Sequence, residues 1–136
     1  MSSTALLILR LAAGLGLAVH GYQKIISGTD FSEWPWQFEA MNGFAGWLDS
    51  LGVPLPHLAA WVAKLSELIG GICVALGFFT RPAAFFAAVT MAIAILVAHL
   101  GDPFGDWELA ALYFAAMTAI MFSGPGEYSL DAKRRD

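Results

Sequence analysis

Four apolar segments divide this chain, and they constrain its fold more than any other feature. They run from about Thr4 to Ser27, Leu58 to Phe79, Pro82 to Leu100 and Asp106 to Ser123. A helix needs roughly 17–25 apolar residues to span a bilayer. Only 13% of the residues are charged and 58% are hydrophobic, whereas soluble domains carry roughly 25% charge. The expectation is an all-α polytopic membrane protein: one domain over residues 1–136, built as a four-transmembrane-helix bundle. The last two segments are short, roughly 27 Å each at the helical rise, enough to cross with little tilt.

The polar residues inside these segments are few. In Leu65 to Gly77, LSELIGGICVALG, one acid, Glu67, interrupts an apolar run. A carboxylate there costs on the order of 2.5–3.5 kcal/mol on insertion scales, so it needs a partner or a task. Lys64 lies three residues earlier on the same helical face. Segment one carries Arg10, His20 and Lys24. His20 and Lys24 are four apart, and Arg10, fourteen before Lys24, falls near the same stripe. His99 ends segment three and Glu108 opens segment four.

Small residues recur beside them. Gly14, Gly16, Ala18 and Gly21 make segment one thin, and Ala84, Ala88, Ala92 and Ala111, Ala115, Ala119 form two further seams. Small residues let helices approach closely in membranes. The seams suit packing within one bundle or between copies, so a homo-oligomer stays open. Thr4, Thr80 and Asp106 are the expected helix caps, and Gly28 the stop of segment one.

Residues 28–57 are too long for a structureless connection. Phe38, Met41, Phe44, Trp47, Leu48 and Leu51 recur at helical spacing within them. A short amphipathic helix is expected there, at the interface or folded back as a lid. Trp34 and Trp36 suit an aromatic belt.

Outside the apolar segments, Lys and Arg occur only at Arg81, Lys133, Arg134 and Arg135. The positive-inside rule then puts both termini in the cytoplasm and residues 28–57 outside. In that topology His20, Lys24, Lys64, Glu67, His99 and Glu108 gather in the outer half of the bundle. Glu67 and His20 sit about 12–15 Å below the boundary. Arg10 alone lies toward the cytoplasm. Plainer roles exist for each. Lys24 and Lys64 can snorkel, Glu108 can complement a helix N-terminus, His99 can sit at the interface, and Glu67 can pair with Lys64 or Lys24.

Some classes are disfavoured. A net charge of −4 argues against a nucleic-acid surface. The single cysteine, Cys73, permits no internal disulfide, and no CxxC or CxxCH pattern points to zinc or covalent haem. No basic stretch precedes the first apolar segment, so it reads as a retained helix rather than a signal peptide.

RLAAGLGLAVHGYQK (Arg10 to Lys24), ELIGGICVALGFFTRPAA (Glu67 to Ala84), WELAAL (Trp107 to Leu112) and GPGEYSLD (Gly124 to Asp131) together resemble the DoxX family of small bacterial membrane proteins. The resemblance covers nearly the whole chain, in order. It implies four transmembrane helices in the bacterial inner membrane. It also picks out Arg10, Gly14, His20, Gly21, Lys24, Glu67, Gly70, Gly71, Gly77, Thr80, Arg81, Glu108, Gly124, Gly126, Ser129 and Asp131. The family is named by similarity to a subunit of a thiosulfate:quinone oxidoreductase, and other members are associated with redox and oxidative-stress complexes. Fold alone does not make this chain an enzyme.

Two classes of function follow. In the first, the protein is a subunit or partner of a membrane redox system, with a quinone as the candidate cofactor. Arg10, His20, Lys24, Lys64, Glu67, His99 and Glu108 are the candidate pocket residues. Lys24 or His20 would hydrogen-bond a quinone carbonyl, and Glu67, with His20, would move protons. A variant has Lys24, Lys64 and His20 receiving a thiosulfate-like anion. A metal site from His20, His99, Glu67 and Glu108 is opposed by the two nearby lysines. In the second class the charges are structural ion pairs of a scaffold that recruits other membrane or redox proteins.

Overall fold

A computed structural model describes residues 2–98 and 101–135. Six α-helices follow in order: α1 Ser3–Ile26, α2 Glu39–Ser50, α3 Pro56–Leu76, α4 Thr80–Ile93, α5 Phe104–Ser123 and α6 Leu130–Arg135. A π-helical turn, Ala94–Ala98, continues α4. No strand occurs among the described residues. Among the described residues, three helical stretches are long and apolar enough to cross a membrane: Ser3–Ile26, Pro56–Leu76 and Thr80–Val97. The fourth expected span, α5, does not join them by that measure; Asp106 and Glu108 lie in its first turns. Ile8, Leu15, Ile69, Phe86, Leu112 and Phe122 are each more than half exposed. A continuous apolar exterior of this kind is a surface for lipid rather than water.

The bundle is organised by the crossing of α1 and α3, its most extensive helix pair. A Cβ added to Gly14 would come 2.6 Å from the Gly71 carbonyl oxygen, and one on Gly71 would come 2.6 Å from the Ala18 nitrogen. Two glycines facing each other thus bring the backbones together where no side chain fits. Gly21 extends the seam, since a Cβ there would stand 2.8 Å from both Lys64 O and Leu68 N. Close backbone approach maximises dispersion contact where lipid offers no hydrophobic drive between helices. It also sets the polar residues of α3 beside those of α1.

On the other side α4 packs against α5 and α3. Leu17, Val74, Ala84, Ala87, Met117 and Ile120, all nearly or fully buried, fill the space between. The α4 seam is only partly as expected: Ala84 and Ala88 are buried, with Ala87, while Ala92 is half-buried. The α5 seam does not face the core. Ala115 is exposed and Ala111 and Ala119 are half-buried, whereas Met117 and Ile120 are buried. The reason is that the larger side chains of α5 fill the gap to α4.

The expected helix over part of residues 28–57 is present as α2. Met41, Ala45 and Leu48 are buried against Ile25 and Ala60, so α2 lies on the ends of α1 and α3.

Three caps differ from expectation. Ser2, not Thr4, caps α1 by accepting from the Ala5 N–H at 3.1 Å. Asp106 lies inside the first turn of α5, which begins at Phe104 after Pro103. Thr80 is already helical and does not cap α4 itself. Asp131, from the far end of the chain, accepts from the Phe79 and Thr80 N–H groups at 2.9 Å and from the Thr80 hydroxyl at 2.7 Å. A long-range cap satisfies the orphan donors just as a local one would.

Candidate functional site

Two cavities adjoin α2. The first, about 730 Å³, is lined by His20 and Lys24 of α1, Lys64 of α3, and Phe44 and Trp47 of α2. The second, about 660 Å³, passes Lys64, Glu67 and Ala63 of α3 to Thr90 and Ile93 of α4 and Val97 of the π-helical turn. Phe44, Trp47 and Lys64 belong to both linings, so α2 forms a shared wall.

Phe44 holds the two lysines in place. Lys64 Nζ stands 5.0 Å and Lys24 Nζ 5.6 Å from its ring centroid. A cation at such range is attracted by the ring quadrupole. Two ammonium groups are thereby gathered around one aromatic ring despite their mutual repulsion. Lys64 Nζ also donates to Glu67 Oε1 at 3.1 Å, with the Glu67 side chain 6% exposed. This pair is within α3, so it does not tie α1 to α3. His20 and Tyr113 of α5 meet in a T-shaped arrangement, with ring centroids 5.9 Å apart.

The sequence-predicted residues therefore divide. His20, Lys24, Lys64 and Glu67 come together around the cavities beneath α2. His20 is exposed, lining the first cavity rather than buried. Glu108 is exposed on α5 and lines neither cavity. His99 lies outside the described residues. Among the described residues no three His, Cys, Asp or Glu side chains are arranged to hold a metal ion.

Arg10 is at the opposite end of the bundle. Its guanidinium donates to four carbonyls: Val74 at 3.0 Å, Ala75 at 3.1 Å, Pro125 at 2.7 Å and Tyr128 at 3.0 Å. The first two belong to the last turn of α3, where carbonyls lack intrahelical partners and the helix dipole favours a cation. The other two belong to the tail. Arg10 thus fastens residues 125–128 across α1 and α3. Asp131 completes this fastening, with its own N–H donating to Gly77 O at 2.8 Å. Burial alone would raise the Asp131 carboxyl pKa. Hydrogen bonds from Thr80 and Phe79 and the charge of Arg134 outweigh it, and the pKa lies below the usual carboxylate value.

Two participants were missed in the sequence. Phe44 is singled out there only as one member of an apolar stripe, and its role as a platform depends on which helices it faces. Tyr113 gave one signal, a phenol in the middle of an apolar segment.

The DoxX family profile matches residues 5–100. Inner membrane protein YphA of Escherichia coli is 31% identical over 94% of this chain and 89% of its own length. An uncharacterized protein of Haemophilus influenzae is 36% identical over 85% of this chain and 84% of its own. Putative oxidoreductase CatD of Bacillus subtilis is 31% identical over 92% and 83%. No solved structure matches. With three apolar helices long enough to cross, these matches point to a multi-pass protein of a bacterial inner membrane. On the family match and the coverage of its relatives, the chain belongs to the DoxX family of integral membrane proteins.

Proposed function

We propose that the protein holds a small redox-active molecule, a quinone, beneath α2 and serves as a subunit or partner of a membrane redox system. One observation carries this reading: a mostly apolar cavity of about 660 Å³ contains the Lys64–Glu67 pair at its wall. Ligand sites are mostly apolar, with a few placed polar groups that fix orientation. A quinone supplies an acceptor for two electrons and two protons. Lys64 or Lys24 donates a hydrogen bond to its carbonyl oxygen, and Glu67 passes protons toward the cavity that His20 lines. The chain carries no haem motif or cysteine pair, so the electrons are assigned to a partner protein. The printed name of the Bacillus subtilis relative, putative oxidoreductase, supports a redox setting.

The reading includes α5 as a fourth span and both termini in the cytoplasm. Supporting it, the tail after α5 packs beside the start of α1, with Gly126 against Leu6 and Pro125 on Arg10. An even number of crossings returns the chain to its starting side.

A scaffold reading is favoured by one fact, the mutual satisfaction of Lys64 and Glu67. Native mass spectrometry of protein gently extracted from its own membranes separates the two. The expected result is an added mass equal to a quinone in the wild type, lost in Glu67→Gln with the fold intact. Retention of that mass and of redox coupling in Glu67→Gln, or a co-purifying protein with no small molecule, overturns the quinone reading.

A further inference from the structure

The charge of this chain is unevenly placed. The net charge is −4, yet four of its seven Lys and Arg residues, Arg81, Lys133, Arg134 and Arg135, fall in the α3–α4 turn region and the tail. These segments meet, because Asp131 of α6 caps α4. Where they meet, a cavity of about 370 Å³ is lined by Thr80, Arg81, Pro82, Pro125, Asp131 and Arg134. We propose that this cavity binds the phosphate headgroup of an anionic phospholipid, clamped between Arg81 and Arg134.

Three features favour it. First, each guanidinium is placed by a neighbour. Arg134 stacks over Phe79 at 4.7 Å and Phe78 at 5.4 Å. Arg81 rests so close to Gly124 that a Cβ there would be 2.8 Å from its Nη2. Planar guanidinium forks match phosphate oxygens in pairs. Second, the one acid present, Asp131, is engaged: two backbone N–H groups and a hydroxyl donate to it, and Arg134 Nη1 stands 3.7 Å away. It balances one cation and leaves the second for a ligand. Third, the cavity is rimmed by apolar surface. Phe79, which lines it, is 51% exposed, and Pro82 beside it is exposed too. A free anion has no use for such a rim, whereas lipid acyl chains cover it. Basic pockets at the ends of transmembrane helices are suited to anionic headgroups. This inference does not rest on the quinone reading.

The test reconstitutes the full chain in phosphatidylcholine nanodiscs, with and without phosphatidylglycerol, and reads the thermal midpoint and the retained lipid by native mass spectrometry. The expected result is a rise of several degrees and a retained phosphatidylglycerol in the wild type. Both are cut by at least half in Arg81→Gln and in Arg134→Gln. Lys133→Gln, whose side chain lines a different cavity beside Arg10 and Tyr128, keeps them. Inorganic phosphate added to phosphatidylcholine discs gives no shift. An equal loss in Lys133→Gln would mean diffuse surface charge, and an equal shift with inorganic phosphate would mean a free-anion site. Either outcome, or no response to phosphatidylglycerol, overturns the proposal.

Discussion

At the scale of single residues, the charges in this protein do two kinds of work. Arg10 and Asp131 satisfy backbone; Lys24, Lys64 and Glu67 surround space. Arg10 is 1% exposed and its four hydrogen-bond acceptors are all backbone carbonyls. Arg10→Met would leave the Ala75, Pro125 and Tyr128 carbonyls without this donor, at about 1–3 kcal/mol for each that water cannot reach, while Val74 O keeps the Gly77 N–H at 3.1 Å. Arg10→Lys recovers little, because an ammonium cannot reproduce the guanidinium fork. Thermal unfolding in detergent should rank wild type above Arg10→Lys and Arg10→Lys above Arg10→Met. Asp131→Ala should cost roughly 1–3 kcal/mol through the lost α4 cap. The sign with pH follows from its lowered pKa. Its contribution is full above the ordinary value of 3.8 and lost as pH falls through the lower folded value. The stability gap between wild type and Asp131→Asn should therefore hold near neutral pH and close only in strong acid. A gap that closes near neutrality would contradict the assigned contacts.

At the scale of helices, the Gly14–Gly71 crossing positions everything beneath α2. Gly71→Leu would drive a side chain into the backbone of α1. Overpacking of this kind costs about 1–3 kcal/mol or more. It should also move Lys24 and Lys64 apart, which engineered cysteine pairs across α1 and α3 would report as lost crosslinking. Gly46 is the control, since nothing lies within 4 Å of a Cβ built there, and Gly46→Ala should be neutral. Helix α2 has its own test. Phe44→Ala removes the ring under both ammonium groups and should join the two cavities. Quinone retention should fall several-fold, by more than the drop in thermal midpoint expected from losing a half-buried ring that packs against the Met41, Ala45 and Leu48 contact.

At the scale of the molecule, the prediction is topological. With Cys73→Ser as background, Ser32→Cys should react with a membrane-impermeant thiol reagent in intact cells. Lys133→Cys should react only after permeabilisation. Labelling of both sites in intact cells would sink the four-span arrangement.

Much of this was legible in the sequence, and the division has a physical cause. Lipid dictates helix by composition, so apolar length and spacing alone located α1, α3 and α4 and the amphipathic α2. Pairwise spacing on a helix is also a local property, and it put Lys64 beside Glu67. Contacts between helices are not local. Arg10 shares a sequence stripe with Lys24, but more than three turns of helix separate them, and its partners come from positions 74, 75, 125 and 128. Asp131 caps a helix that starts fifty-one residues before it. Phe44 acquires its lysines only because α2 folds back over the ends of α1 and α3. Apolar length and local spacing were enough to specify a helical chain with charge set inside it. Tertiary structure alone decided which charges fasten the bundle and which face a cavity, because hydrogen bonds and ring contacts are set by distance in space and not along the chain.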